Sequence, residues 1–411
     1  MKKLLSISLY CAALIFLLTP NVEASEDTTH WWEVQSIDTV KYSRDLSREK
    51  LNSSSFAKVI DGQISQIAHT GATHVAIGTP YDDEFTPMLE LWAKTARKYG
   101  LHVWFRGNFS GWEGWFDYPK ISREEHIQKT KDFILSHGYL FEDGDVFTSC
   151  PECENGGPGD PRDTKDVEGH RNFLIQEYQV TSDSFRKIGK NVKSNYISMN
   201  ADVAKLIYNP KTTNELGGIV VIDHYVATPE LLARDVREIA QSSNGKVVLG
   251  EFGVPIPDIH GKMSEKMQSD WIEKAFQELI ELPELVGINY WVNVGGTAAL
   301  WTPEGTAREA VGVISYYYQP KSLQLKVFNE LDEPVYLAKV SFGIKESYTD
   351  RAGNAEMPYY NGDSQVEISA PSYKSENLKL SALETNNTVV LEKSNPGLFF
   401  RLRRFLHNLF N

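Results

Sequence analysis

The chain has 411 residues, 42 of them basic and 55 acidic, for a formal net charge of −13. So acidic a balance repels nucleic acid, and three cysteines are too few for a disulfide scaffold. The length exceeds one ordinary domain but suits a (β/α)8 barrel, which takes about 250 residues, plus a small module.

The first 24 residues read as an export signal. Lys2 and Lys3 precede an apolar run from Leu4 to Leu18, and Val22-Glu23-Ala24 puts small residues at the cleavage positions. Its removal deletes two lysines and one glutamate, leaving 40 basic and 54 acidic residues and a net charge of −14. The expected location is outside the cell or in its envelope. The alternative is a retained signal anchor, although the run is shorter than the about 20 residues that span a bilayer.

From Trp31 to about Tyr318, short β-branched or aromatic runs alternate with longer helical patterns, many of which end in glycine just before the next strand. This rhythm predicts βα units around a parallel sheet. Strands are expected near Val34–Ile37, His74–Ile77, His102–Arg106, Val146–Cys150, Asn195–Ser198, Ile219–His224, Val247–Glu251 and Gly287–Trp291. Helices are clearest at Phe56–His69, Pro87–Tyr99, Arg123–Ser136, Phe173–Ile188, Pro229–Gln241, Ser264–Leu282 and Ala307–Tyr318, and a short one is expected at Val203–Ile207. Eight strands is the barrel number. An open doubly wound sheet is the competing architecture, but no glycine-rich phosphate loop follows the first strand.

After residue 320 the pattern becomes a period-two alternation broken by turn residues, as in Leu323-Gln324-Leu325-Lys326-Val327. Residues 321–394 are therefore expected to form a small β-sandwich, either a carbohydrate-binding module or a packing domain. Tyr359, Tyr360 and Tyr373 fit a sugar platform or a core equally. Residues 395–411 read as a basic amphipathic helix, with Leu398, Leu402, Phe405 and Leu409 on one stripe. Three sites suit such a helix: an anionic membrane surface, the barrel, or a partner.

In a barrel the active site lies at the carboxyl ends of the strands, so polar residues just past each apolar run carry the chemistry. Two glutamates fall there. The fourth strand leads through Val146-Phe147-Thr148-Ser149-Cys150-Pro151 to Glu152, and the seventh reads Val247-Val248-Leu249-Gly250-Glu251-Phe252-Gly253. Glycosidic hydrolysis needs such a pair: one carboxyl to protonate the leaving oxygen, and another to attack the anomeric carbon or activate water. Their pKa values must be held apart, with the donor raised. The third strand runs on into Arg106-Gly107-Asn108-Phe109-Ser110-Gly111-Trp112-Glu113-Gly114-Trp115, which reads as a sugar-binding wall. There Arg106 and Asn108 are candidate hydrogen-bond donors, and Trp112 and Trp115 are stacking or packing rings. Asp38, Lys41 and Asp45 on the first strand and Tyr81, Asp82 and Asp83 after the second are even choices between pocket and surface ion pairing. Cys150 and Cys153 permit a local disulfide, two free thiols or half a metal site; export favours the disulfide, and no second ligand pair accompanies them.

Gly-Glu-Phe-Gly on a seventh strand resembles the nucleophile motif of clan A glycoside hydrolases, especially family 5. The resemblance spans residues 31 to 318. It implies a (β/α)8 barrel, a retaining mechanism with Glu251 as nucleophile and Glu152 as acid/base, and no cofactor or metal. Asp223-His224-Tyr225 resembles the His-x-Tyr region that positions the nucleophile, and Trp291 resembles the tryptophan beneath the sugar. The expected substrate is an oligo- or polysaccharide with β-linkages. One departure falls on strand four: the clan places asparagine before the acid/base, and this chain has Pro151. Glu154 is therefore the rival donor, and Asn108 or Asn200 is expected to supply the missing contact to the sugar 2-hydroxyl. A catalytically inactive glycan-binding barrel and a transglycosylase are the alternatives to hydrolysis.

Overall fold

The computed structural model describes residues 30–360 and 365–410. The expected export signal lies outside the described residues. Among these residues, one sheet holds eight strands: β1 (Val34–Asp38), β2 (His74–Ile77), β3 (His102–Phe105), β4 (Val146–Phe147), β5 (Ser198–Asn200), β6 (Ile219–Asp223), β7 (Lys246–Phe252) and β8 (Leu285–Tyr290). The order is β4-β3-β2-β1-β8-β7-β6-β5, every paired neighbour is parallel, and helices intervene along the chain. The seam between β4 and β5 closes through Lys193, whose backbone accepts from Phe147 N at 2.9 Å and donates to Asp145 O at 2.8 Å. The architecture is a (β/α)8 barrel.

Local sequence accounts for the helices that space these strands. Arg123–Ser136 starts where the Ser122 side chain accepts from Glu125 N, and Pro229–Ser243 starts at Thr228 with proline in its first turn. The helix Phe56–His69 stops at Gly71, whose φ of 82° continues a helix poorly and turns the chain toward β2. Inside the sheet, Val34, Ala76, Trp104, Val146, Tyr196, Val221 and Val248 form a separate buried cluster that fills the barrel below the mouth. The larger core lies between the sheet and the helices.

The helix expected at Phe173–Ile188 spans Val167–Lys187, and two strands also depart from expectation. The fourth strand ends at Phe147 rather than Cys150, because Thr148 to Cys153 turn across the barrel mouth. The fifth ladder begins at Ser198, as residues 193–197 touch β4 only through isolated bonds.

The chain then builds a smaller module from β9 (Lys321–Asn329), β10 (Lys339–Phe342), β11 (Lys345–Tyr348), β12 (Asn354–Tyr359), β13 (Gln365–Ser369), β14 (Glu376–Lys379) and β15 (Thr388–Leu391). They form two sheets, β11-β10-β13-β14 and β12-β9-β15, with Leu323, Leu325, Val327, Val340, Val366, Ile368, Val389 and Leu391 buried on alternate positions. The module packs where the chain enters the barrel. The Trp31 ring lies 4.8 Å from that of Tyr360, Tyr360 Oη donates to Tyr317 O at 2.7 Å, and the Lys345 ammonium donates to Trp31 O. Tyr359 and Tyr360 are buried, so both are packing residues here. The final helix, Leu398–Phe410, makes its ion pairs with the module. Among the described residues no helix is long and apolar enough to cross a membrane.

Candidate active site

Arg106 follows β3 directly and is the hub of the mouth. Its Nη1 donates to Asp38 Oδ2 (2.9 Å), Gly250 O (3.0 Å) and Glu251 Oε1 (3.0 Å), and its Nη2 to Asp223 Oδ2 (3.0 Å) and Ser198 Oγ (3.1 Å). One buried guanidinium thus joins the ends of β1, β5, β6 and β7. A planar fork can serve this many acceptors in fixed directions, and an ammonium cannot. Asn289 on β8 completes the ring by donating to Gly250 O at 2.8 Å and Asp38 Oδ2 at 3.2 Å.

Glu251 reaches this ring through a bulge. Ile222 pairs with Leu249 and Asp223 with Glu251, so Gly250 is the extra residue in β7. The bulge re-aims the next side chain, turning Glu251 toward Arg106. Glycine is required at this point, because a Cβ on residue 250 would lie 2.4 Å from Asp223 Oδ1. Gly253 answers a second close approach, since a Cβ there would lie 2.0 Å from Trp291 O. The glycines that flank Glu251 therefore have separate steric causes.

On its other oxygen Glu251 accepts from Tyr225 Oη at 2.6 Å. Tyr225 sets its ring edgewise to Trp291, with centroids 6.0 Å apart, and the Lys41 ammonium stands 5.7 Å from the Trp291 ring. His224 donates its backbone N–H to Glu251 O at 2.8 Å, while its Nε2 lies 2.9 Å from Asp235 Oδ2. The side chain of His224 thus points away from the mouth, toward the helix Pro229–Ser243.

The opposite side is built differently. Cys150 and Cys153 form a disulfide, and Glu152 sits inside the four-residue turn that it closes. Glu152 has φ 45°, a left-handed conformation unusual for a side chain of its size, and its N–H donates to Ser198 O at 2.9 Å. Asn155 Nδ2 donates to Glu152 Oε2 at 2.9 Å. Glu154 is only 2% exposed; its Oε1 accepts from Asn200 N (2.7 Å) and Nδ2 (3.0 Å). Of the two, Glu152 is the carboxyl that remains partly open, and Asn200 serves Glu154.

Burial raises the pKa of both Glu152 and Glu251. Arg106 and Tyr225 pull Glu251 back toward ionisation, whereas the charge of Glu154 pushes Glu152 further up. Arg106 also pulls Glu152 down and Glu152 pushes Glu251 up, so both carboxyls stand above the ordinary range, with the hydrogen bonds from Arg106 and Tyr225 favouring the ionised form of Glu251. Asp223 is raised well above the ordinary range by burial, with the charge of Glu251 adding to the effect. Glu113 is pushed to about 8 by burial and by Glu152 and Glu154, against the pull of Arg44.

Asn108 and Trp112 do not line the mouth. Asn108 is fully buried; its Oδ1 faces His126 Nε2 at 2.9 Å and its Nδ2 lies 3.6 Å from Cys150 Sγ. Trp112 is also fully buried, stacked on Phe173 with centroids 5.0 Å apart and donating Nε1–H to Cys153 O at 3.0 Å. The loop dips beneath the disulfide turn, and both residues support it from below. Ser198 and Asn289 were not singled out by sequence reasoning, and Asp223 entered only as the start of Asp223-His224-Tyr225, although the strand-end position of each was a usable signal. Among the described residues, no cluster of three or more histidine, cysteine, aspartate or glutamate side chains has a metal-binding arrangement.

No family model matches the sequence, and no curated protein sequence matches it. Solved structures do share the fold. A GH5_18 enzyme from Bifidobacterium longum subsp. longum, in complex with Manβ1-4GlcNAc, matches with a TM-score of 0.53 at 14% identity, over 78% of this chain and 84% of that one. A GH5_18 enzyme from Streptomyces cattleya with the same disaccharide matches with a TM-score of 0.52 at 12% identity, over 72% and 83%. A β-glucuronidase from Ruminococcus gnavus gives a TM-score of 0.44 at 14% identity over 64% of this chain, and this chain spans only 45% of the length of that enzyme. The barrel thus has the fold of known glycoside hydrolases.

Proposed function

We propose that the chain is an exported retaining glycoside hydrolase acting on β-linked oligo- or polysaccharides. The observation that carries this reading is Glu251 clamped between Arg106 and Tyr225 at a strand end, with the partly open carboxyl of Glu152 in the disulfide turn of the same mouth. Glu152 protonates the glycosidic oxygen as Glu251 attacks the anomeric carbon, so the bond to the leaving group breaks and a glycosyl ester forms. Glu152, now a carboxylate, then takes a proton from water; the resulting hydroxide displaces Glu251 and frees the sugar with its configuration retained. Trp291 gives the sugar an apolar face, and Arg106 and Tyr225 aim the nucleophile. A transglycosylase would share the first half-reaction and differ only in the acceptor.

The test is a screen over polysaccharides and aryl β-glycosides, including mannosides, glucosides and glucuronides, with NMR of the first-formed anomer. Retention is expected, and Glu251→Ala should be inactive until azide is added. An inverted product would refute double displacement, and full activity in Glu251→Ala would remove that residue from catalysis.

A further inference from the structure

The helix Leu398–Phe410 turns its apolar side to solvent. Leu398, Phe399, Leu402, Phe405, Leu406 and Leu409 are all exposed, Leu398 by 85% and Leu409 by 62%. At about 100° per residue these six share one side, and Phe400, Arg404 and His407 occupy the other. That other side is fastened to the module. Arg404 pairs with Glu330 at 2.6 Å, His407 Nε2 lies 3.1 Å from Asp332, and the Lys393 ammonium stands 4.5 Å from the Phe400 ring. A helix held by the hydrophobic effect within its own domain would face the opposite way.

Charge indicates what covers this side. Arg401 and Arg403 sit at its two edges, and the helix contains no acidic residue. Two copies stacked apolar side to apolar side would bring these arginines together, whereas phosphates at a lipid surface would meet them at headgroup depth. The pair from Arg403 to Glu333, at 2.8 Å, is about half exposed on both partners and can be given up at little cost. Position agrees. The β10–β11 hairpin carries Lys345 against Trp31 at the barrel, and β9 runs from Lys321, beside the barrel, to the acidic turn Glu330–Glu333. The helix therefore lies at the end of the module remote from the barrel, and the mouth with Glu152 and Glu251 opens at the other end of the barrel strands.

We propose that this helix lies in the headgroup region of a phospholipid bilayer, apolar side down, with the catalytic mouth turned away from the lipid. The proposal is independent of the glycosidase reading. To test it, the full chain carrying Cys11→Ser and Leu409→Cys is labelled with nitrobenzoxadiazole, which reports on the helix separately from the N-terminal apolar run. Vesicles of equal parts phosphatidylcholine and phosphatidylglycerol should shift the emission to the blue, and spin labels high on the acyl chains should quench it. Adding Leu402→Ser and Phe405→Ser should weaken this response at least about tenfold without changing the melting temperature. A probe that does not respond to vesicles overturns the proposal. So does one already shifted without lipid, which would mark a second copy or another protein surface.

Discussion

The two halves of the mouth are made by different means. On the β7 side, Glu251 belongs to a seven-residue strand and is held by a bulge, a guanidinium and a phenol. On the β4 side, the strand is two residues long, and Glu152 depends on a disulfide turn supported by Trp112 and Asn108. The difference suits the roles proposed for the pair. A nucleophile must be aimed within a fraction of an ångström, whereas a proton donor must stay dry and adapt to two successive oxygens.

Substitutions can test this contrast. Glu251→Ala should lower kcat by about four orders of magnitude or more, with partial recovery in azide measured on an activated aryl glycoside. Arg106→Lys should cost about a hundredfold in kcat and about 3 kcal/mol in chemical denaturation, because three buried carboxylates lose their shared fork. Tyr225→Phe should cost about tenfold in kcat and leave stability nearly unchanged, the loss of one charge-assisted hydrogen bond. Joint replacement Cys150→Ser and Cys153→Ser should cost about tenfold, concentrated on substrates with poor leaving groups; an equal loss on activated glycosides would mean that the turn also serves the β7 side. Smallest, Glu154→Gln should move the basic limb of the kcat/KM profile to lower pH by up to about one unit. The sign follows from Glu154, whose charge raises Glu152; removing it lets Glu152 lose its proton earlier. Loss of the limb, with the greatest slowing on substrates with poor leaving groups, would make Glu154 the donor.

The strand positions, most helix starts and the strand-end place of Glu251 were legible because each is written locally, in a period or a four-residue motif. The partners of Arg106 were less so: Asp38 and Asp223 lie 68 and 117 residues from it, and only closure of the barrel brings them together. The stretch after β3 misled for a related reason. Alternation tells inside from outside along a strand, but Asn108 and Trp112 fall in the loop beyond it, where the chain dives under the disulfide turn. Pro151 was an anomaly in the sequence and has its place in the structure within that turn. Asn200 was expected to touch the sugar and instead fixes Glu154, a contact between residues 46 apart.

The Arg106 hub has a consequence for the reaction as a whole. Its guanidinium makes ion pairs with Asp38, Asp223 and Glu251 at once. In the proposed first step Glu251 becomes an uncharged ester as Glu152 gives up its proton. The negative charge that leaves Glu251 appears on Glu152. The mouth thus keeps the same net charge through both steps of the proposed reaction, and the buried guanidinium keeps Asp38 and Asp223 as partners throughout.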